Sequence, residues 1–141
     1  MKFLLVFVAL LQTYCQAKIY DRCELARELL RRFHFSRKTI GHWICLVEHE
    51  SSYNTAGKGE PNWDGSYDHG LFQINDRYWC SPPHHVNECN VRCSDLRTDD
   101  ISIAVKCAKK IFEVHNFYAW VAWKNRCQNT DVSRYVSDCH L

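Results

Sequence analysis

Apolar residues recur at helical spacing in two stretches near the start of the chain. From Asp21 to Arg32, the residues Cys23, Leu25, Ala26, Leu29 and Leu30 approximate one stripe, and acids precede bases along it. That pattern predicts a helix. From Thr39 to Glu48, the residues Ile40, Trp43, Ile44 and Val47 repeat the same period and predict a second helix, with Glu50 near its C-terminal end. The stretch from Phe33 to Gly41 reads as the connection. The pattern then changes. Asn54 to Asp76 is rich in Gly, Asn, Ser and Asp, and Lys58-Gly59-Glu60-Pro61-Asn62-Trp63-Asp64-Gly65 is too interrupted for a long helix. A small antiparallel sheet with tight turns is predicted there, with Leu71-Phe72-Gln73-Ile74 as one of its short strands. Cys80 to Cys93 reads as a cross-linked loop holding Pro82-Pro83 and His84-His85. Helical spacing returns with Ile101, Ala104, Val105, Ala108 and Ile111, which predict a third helix from about Asp100 to Phe112, capped by Thr98 or Asp99. Tyr118 to Trp123 begins a fourth, shorter helix, and Val132 to Val136 forms a last turn. Helices, then a small sheet, then helices again place the chain in the α+β class.

One apolar run stands outside this plan. Met1-Lys2 give a positive start, Phe3 to Leu11 supply nine apolar residues, and Tyr14-Cys15-Gln16-Ala17 offers small residues for cleavage. Residues 1–17 are therefore read as a secretory signal peptide. The run is too short for the roughly 20 residues of a membrane span, so no membrane anchor is expected. Removing 17 of the 141 residues leaves one domain of 124, residues 18–141. It keeps eight of the nine cysteines: Cys23, Cys45, Cys80, Cys89, Cys93, Cys107, Cys127 and Cys139. An even count behind a signal peptide points to four disulfides in an oxidising compartment. Each contributes on the order of 2–4 kcal/mol, mainly by restricting the unfolded chain. Zinc is disfavoured, because no Cys-x-x-Cys pair exists and Cys89-x-x-x-Cys93 alone is weak metal evidence. Spacing alone leaves 105 pairings open. Charge adds little. With Lys2 removed, 17 basic residues face 16 acidic ones, a formal net charge of +1, and no basic stripe invites nucleic acid. The eight histidines are read as mainly solvated surface groups.

Chemistry concentrates between Cys45 and Cys80. Glu50 closes an apolar helical pattern, and Asp68 stands among polar residues just before Gly70. One carboxyl in apolar surroundings and one in polar surroundings is the combination acid-catalysed glycoside cleavage uses. Glu48 is a decoy. Two positions before Glu50 on a helix, it points about 200° away, toward solvent.

The motifs around these acids carry a specific resemblance. Cys23-Glu24-Leu25-Ala26, Glu50-Ser51-Ser52-Tyr53-Asn54-Thr55, Gly70-Leu71-Phe72-Gln73-Ile74-Asn75, Ala119-Trp120-Val121-Ala122-Trp123 and Asn125-Arg126-Cys127 together resemble the secreted C-type lysozymes, the insect members above all. The cysteine run from Cys89 to Cys107 fits the same family, and the likeness covers essentially all of residues 18–141. It implies a helical lobe and a β lobe flanking a cleft. It also implies the pairings Cys23–Cys139, Cys45–Cys127, Cys80–Cys93 and Cys89–Cys107. The implied reaction is hydrolysis of the β-1,4 bond between N-acetylmuramic acid and N-acetylglucosamine in bacterial cell-wall peptidoglycan.

Under that resemblance, Glu50 matches the general acid, and Asp68 the carboxylate that attacks or stabilises the anomeric carbon. Configuration is then retained, with the two carboxyls about 5–5.5 Å apart, an arrangement for which lysozyme is itself the type case. Trp120 matches the indole that walls the acid, a role compatible with plain core packing. Asn75 and Trp79 match cleft residues that take an N-acetyl group and a sugar face, and Gln73 matches the cleft floor.

The chain departs from the family in places. His69 replaces a tyrosine common there, and alternation turns it away from Asp68 into an expected surface contact. Trp63 has no clear counterpart and either extends the sugar platform or covers its own loop. The related calcium-binding branch uses acids where Thr98, Ile103 and Ala104 stand in this chain, so no metal site is expected despite Asp95, Asp99 and Asp100. No cofactor is expected, and the family implies a monomer. The rival reading is a catalytically silent lysozyme-fold recognition or regulatory protein, which the presence of both Glu50 and Asp68 disfavours. Chitin hydrolysis is a weaker enzymatic alternative.

Overall fold

The computed structural model describes residues 17–141. Residues 1–16, and with them nearly all of the expected signal peptide, lie outside the described part.

Among the described residues, four α-helices surround one core. Helix α1 spans Arg22–Arg31, and its N-terminus is capped by Asp21, whose carboxylate accepts from the N–H groups of Cys23 and Glu24. It buries Leu25, Ala26 and Leu29, as its apolar stripe predicts. Helix α2 spans Ile40–Ser51 and is buried on most of its circumference, from Ile40 and Gly41 through Trp43 to Val47. It is the axis of the molecule. Trp43 sits at the centre, with its ring 5.0 Å from Phe35, 5.9 Å from Phe72, 5.3 Å from Phe112, 4.9 Å from Phe117 and 5.5 Å from Trp120. These edge-on and tilted contacts join residues that lie far apart in the sequence.

Two short strands follow, β1 at Asp68–His69 and β2 at Ile74–Asn75. They pair antiparallel with Asp68 opposite Asn75 and His69 opposite Ile74. The predicted strand over Leu71–Ile74 is corrected. Only Ile74 belongs to a strand, and Leu71 to Gln73 form the turn between the two. Gly70 at φ +75° and Gln73 at φ +47° bracket that turn, and the Gln73 N–H donates to the Gly70 carbonyl at 3.1 Å. The reason lies in burial. Leu71 and Phe72 are both fully buried, which a tight turn into the core allows and strand alternation does not.

After a 3₁₀ turn at Cys93–Arg97 comes α3, Ser102–His115, which buries Ala104, Val105, Cys107, Ala108 and Ile111. Its start differs from the prediction. Asp100, rather than Thr98 or Asp99, accepts from the Ser102 N–H at 2.9 Å. The Asp99 carboxylate is occupied elsewhere, by the Lys18 N–H at 2.9 Å and the Thr55 hydroxyl at 3.1 Å. A second 3₁₀ turn at Asn116–Ala119 leads into α4, Val121–Arg126, and a third covers Val132–Tyr135. The disulfides are Cys23–Cys139, Cys45–Cys127, Cys80–Cys93 and Cys89–Cys107, the pairing the resemblance implied. Among the described residues no helix is long and apolar enough to cross a membrane.

Candidate active site

A trench of about 500 Å³ runs between the helices and the strands. Glu50 enters it from the last turn of α2. Trp120, Val121 and Ala122 enter from the start of α4, Asp68 and Asn75 from the paired strands, and Tyr78 and Trp79 from beyond β2. The end of α2 is tied to the β turn by Ser51, whose hydroxyl donates to the Leu71 carbonyl at 2.7 Å. Glu50 is therefore held relative to the strands that carry Asp68.

Glu50 is pushed up from 4.5 to about 7. Burial is the main cause, the charge of Asp68 adds to it, and a hydrogen bond from the Ala122 backbone opposes it. Burial favours the neutral acid because an ion loses its hydration there, and a nearby carboxylate repels a second one. The two acids thus face one trench and sense each other. Asp68→Asn is expected to move the Glu50 titration to lower pH, as followed by NMR of the Glu50 side chain. An unmoved midpoint would show that the two charges do not interact.

Asp68 lies in a different environment. One oxygen accepts from the Asn75 side-chain amide at 2.9 Å and the other from that of Asn62 at 3.2 Å. Both amides also reach the Ser66 hydroxyl, at 2.8 and 3.1 Å. That hydroxyl donates to Asp64 at 2.7 Å, and Arg77 contacts Asp64 at 3.1 Å. Asn75 was expected from the sequence. Asn62, Ser66 and Asp64 were not, because they sit in the Pro- and Gly-interrupted loop where no period assigns a face. The available signal was Asp64-Gly65, a turn that folds Asn62 back over Asp68, six positions on.

The remaining expected residues divide by role. Trp120 lines the trench but is only 4% exposed, and its indole N–H donates to the Phe72 carbonyl at 2.8 Å. It spans the helices and the β turn and packs on Trp43. Trp79 is half-buried beside the trench, with its ring 5.8 Å from His115. Gln73 lines the floor, yet its amide N–H groups go to the carbonyls of Gly57 at 3.2 Å and Gly70 at 2.9 Å. It holds the β lobe together. Trp63 also lines the trench. Glu48 faces a separate cavity with Arg22, Arg134 and Tyr135, away from Glu50.

His69 corrects an expectation. It does turn away from Asp68, but into the protein and not to the surface. It is 4% exposed, and its Nε2 lies 3.0 Å from the buried carboxylate of Asp76. The far face of the small sheet is covered by the segment after Cys80, so that face holds a polar pair where solvent was expected.

Helices and a small sheet cross-linked by disulfides, with a buried carboxyl and a hydrogen-bonded one lining the same trench, define an α+β protein with an acid pair in its cleft. The family model for the C-type lysozyme/alpha-lactalbumin family matches residues 18–139, and the chain belongs to that family. It is 52% identical over 113 residues to a lysozyme of Galleria mellonella, covering 79% of this chain and 93% of the relative. It is 54% identical over 116 residues to a lysozyme of Bombyx mori, covering 82% and 83%. Its fold is similar to the crystal structure of a lysozyme from Litopenaeus vannamei, with a TM-score of 0.82 and 38% identity, over 89% of this chain and 99% of that one.

Proposed function

We propose that this chain is a secreted, monomeric muramidase that cleaves the β-1,4 bond between N-acetylmuramic acid and N-acetylglucosamine in bacterial peptidoglycan, with Glu50 as general acid and base and Asp68 as nucleophile or charge stabiliser. The observation that carries the reading is the contrast between the two carboxyls. Glu50 keeps a proton to about pH 7, while Asp68 receives two amide N–H bonds in the same trench.

In the first step Glu50 gives its proton to the glycosidic oxygen as the bond to the anomeric carbon breaks. Asp68, as a carboxylate, meets the positive charge developing at that carbon or bonds to it. In the second step a water attacks the same carbon, and the Glu50 carboxylate takes the water's proton. Two inversions give net retention, with lysozyme the type case. Asn75 and Asn62 fix the orientation of Asp68. Trp120 and the end of α2 hold Glu50 in its apolar setting, and Trp79 offers a flat face to a sugar ring.

The test is lysis of Gram-positive cell walls by residues 18–141 across pH, with Glu50→Gln as control. Activity is expected to fall as pH rises through about 7, where Glu50 gives up its proton. The reading is wrong if lysis nowhere exceeds the control between acidic and neutral pH.

A further inference from the structure

Trp63 is 98% exposed, the highest value for a large apolar side chain among the described residues. A fully hydrated indole leaves roughly 150–250 Å² of surface unburied. The loop does not need it. The turn closes through Asn62 N–H to the Ser66 carbonyl at 2.8 Å and Gly65 N–H to the Asn62 carbonyl at 2.9 Å. Asp64 secures it further by accepting from the Ser66 N–H at 3.0 Å and hydroxyl at 2.7 Å, with Arg77 on its other oxygen at 3.1 Å. Of the two readings the sequence leaves open, covering its own loop is therefore excluded. The indole packs on almost nothing, and its backbone is held firmly on either side.

Its position relative to the acids follows from a chain of contacts. The Trp79 N–H donates to the Asn75 carbonyl at 3.2 Å. Asn75 bonds one oxygen of Asp68 and Asn62 bonds the other. Trp63 is the residue after Asn62 and lines the same trench. Asp68 is thus tied by one amide to the segment that carries Trp63 and by another to the segment that carries Trp79. Resting on the muramidase reading, we propose that Trp63 is a stacking platform for an N-acetylhexosamine ring on the opposite side of the scissile bond from Trp79. It is a specificity-determining residue that sets where along the glycan the enzyme cuts.

The experiment compares wild type, Trp63→Ala and Trp63→Phe on a soluble β-1,4 hexamer of N-acetylglucosamine, with rates and product lengths both read. The side chain is almost fully solvated, so melting temperatures should not move. Trp63→Ala is expected to lose about five- to tenfold in kcat/KM on the hexamer, the usual weight of one aromatic contact. Its cleavage should shift to registers that leave fewer rings on the Trp63 side, and Trp63→Phe should keep most of the wild-type pattern. Unchanged rates and products in Trp63→Ala overturn the proposal.

A second arm does not depend on turnover. In the Glu50→Gln background, iodide should quench an exposed tryptophan component that Trp63→Ala removes, and the hexamer should shield it. Absence of shielding also overturns the proposal. If wild type cleaves neither walls nor hexamer, the muramidase reading fails separately, and the quenching arm still decides whether sugar sits on Trp63.

Discussion

Glu50→Gln is expected to lower wall hydrolysis by about 10²–10⁴-fold, the usual weight of a positioned general acid, and to make the protein more stable above pH 7. The two effects share one cause. The folded chain holds the Glu50 proton to about pH 7 against 4.5 for an unperturbed carboxyl, chiefly through burial. Below about pH 4 the group is mostly protonated in both folded and unfolded chains, so the Gln variant and wild type should melt alike. As pH rises from 4.5 to 7, the unfolded chain ionises first and wild type loses stability relative to the variant. Above about 7 both forms are ionised and the difference is constant. Full conversion of the shift is about 3 kcal/mol. The trench admits water, so a gain of about 1–2 kcal/mol at pH 8 is the expected size, or several degrees in melting temperature. Melts at pH 4 and pH 8 decide it. Equal melting of the two proteins at both values would mean that the carboxyl is not strained by its setting. Glu48→Gln, altered on the other face of α2, should leave hydrolysis intact.

Helices α1 and α3 were legible in the sequence because each has a core on one side and water on the other. Leu25, Ala26 and Leu29 of α1, and Ala104, Val105, Ala108 and Ile111 of α3, are buried as their spacing demands. Glu50 and Asp68 were legible as well, through the motifs around them. What the chain's own periodicity could not supply is contact between distant segments. Asp99 looks like a helix cap until Lys18 and Thr55 claim it. His69 looks solvated until Asp76 and the segment after Cys80 close over it. Asn62 looks like loop filler until the turn at Asp64-Gly65 delivers its amide to Asp68. In each case the deciding partner comes from another turn or segment. The site is accordingly one acid set by a helix and another set by a polar network that local pattern does not reveal.

Gly70→Ala is expected to be the most damaging single methyl in the β lobe. Gly70 has φ +75°, and a Cβ there would sit 1.8 Å from the Leu96 carbonyl oxygen and 2.8 Å from its carbon. Neither atom can yield easily. Leu96 is 1% exposed in the core, and its 3₁₀ turn is anchored by Cys93 to Cys80. The methyl therefore has to displace the turn that carries Gly70, which begins two residues after Asp68 and sets the pairing of Asp68 with Asn75. A loss of about 3 kcal/mol or more is expected from the collision and the left-handed backbone together. Hydrolysis should also fall well below the melting temperature, because the orientation of Asp68 is disturbed. Gly65→Ala separates the two causes. It has a similar φ of +80° but nothing within 4 Å of its Cβ, so only backbone strain of about 1–2 kcal/mol applies. Denaturant melts of both variants measure the difference. If they lose stability equally, the close approach of Gly70 to Leu96 does not hold the β lobe in register, and the placement of Asp68 must be secured by its amide partners alone.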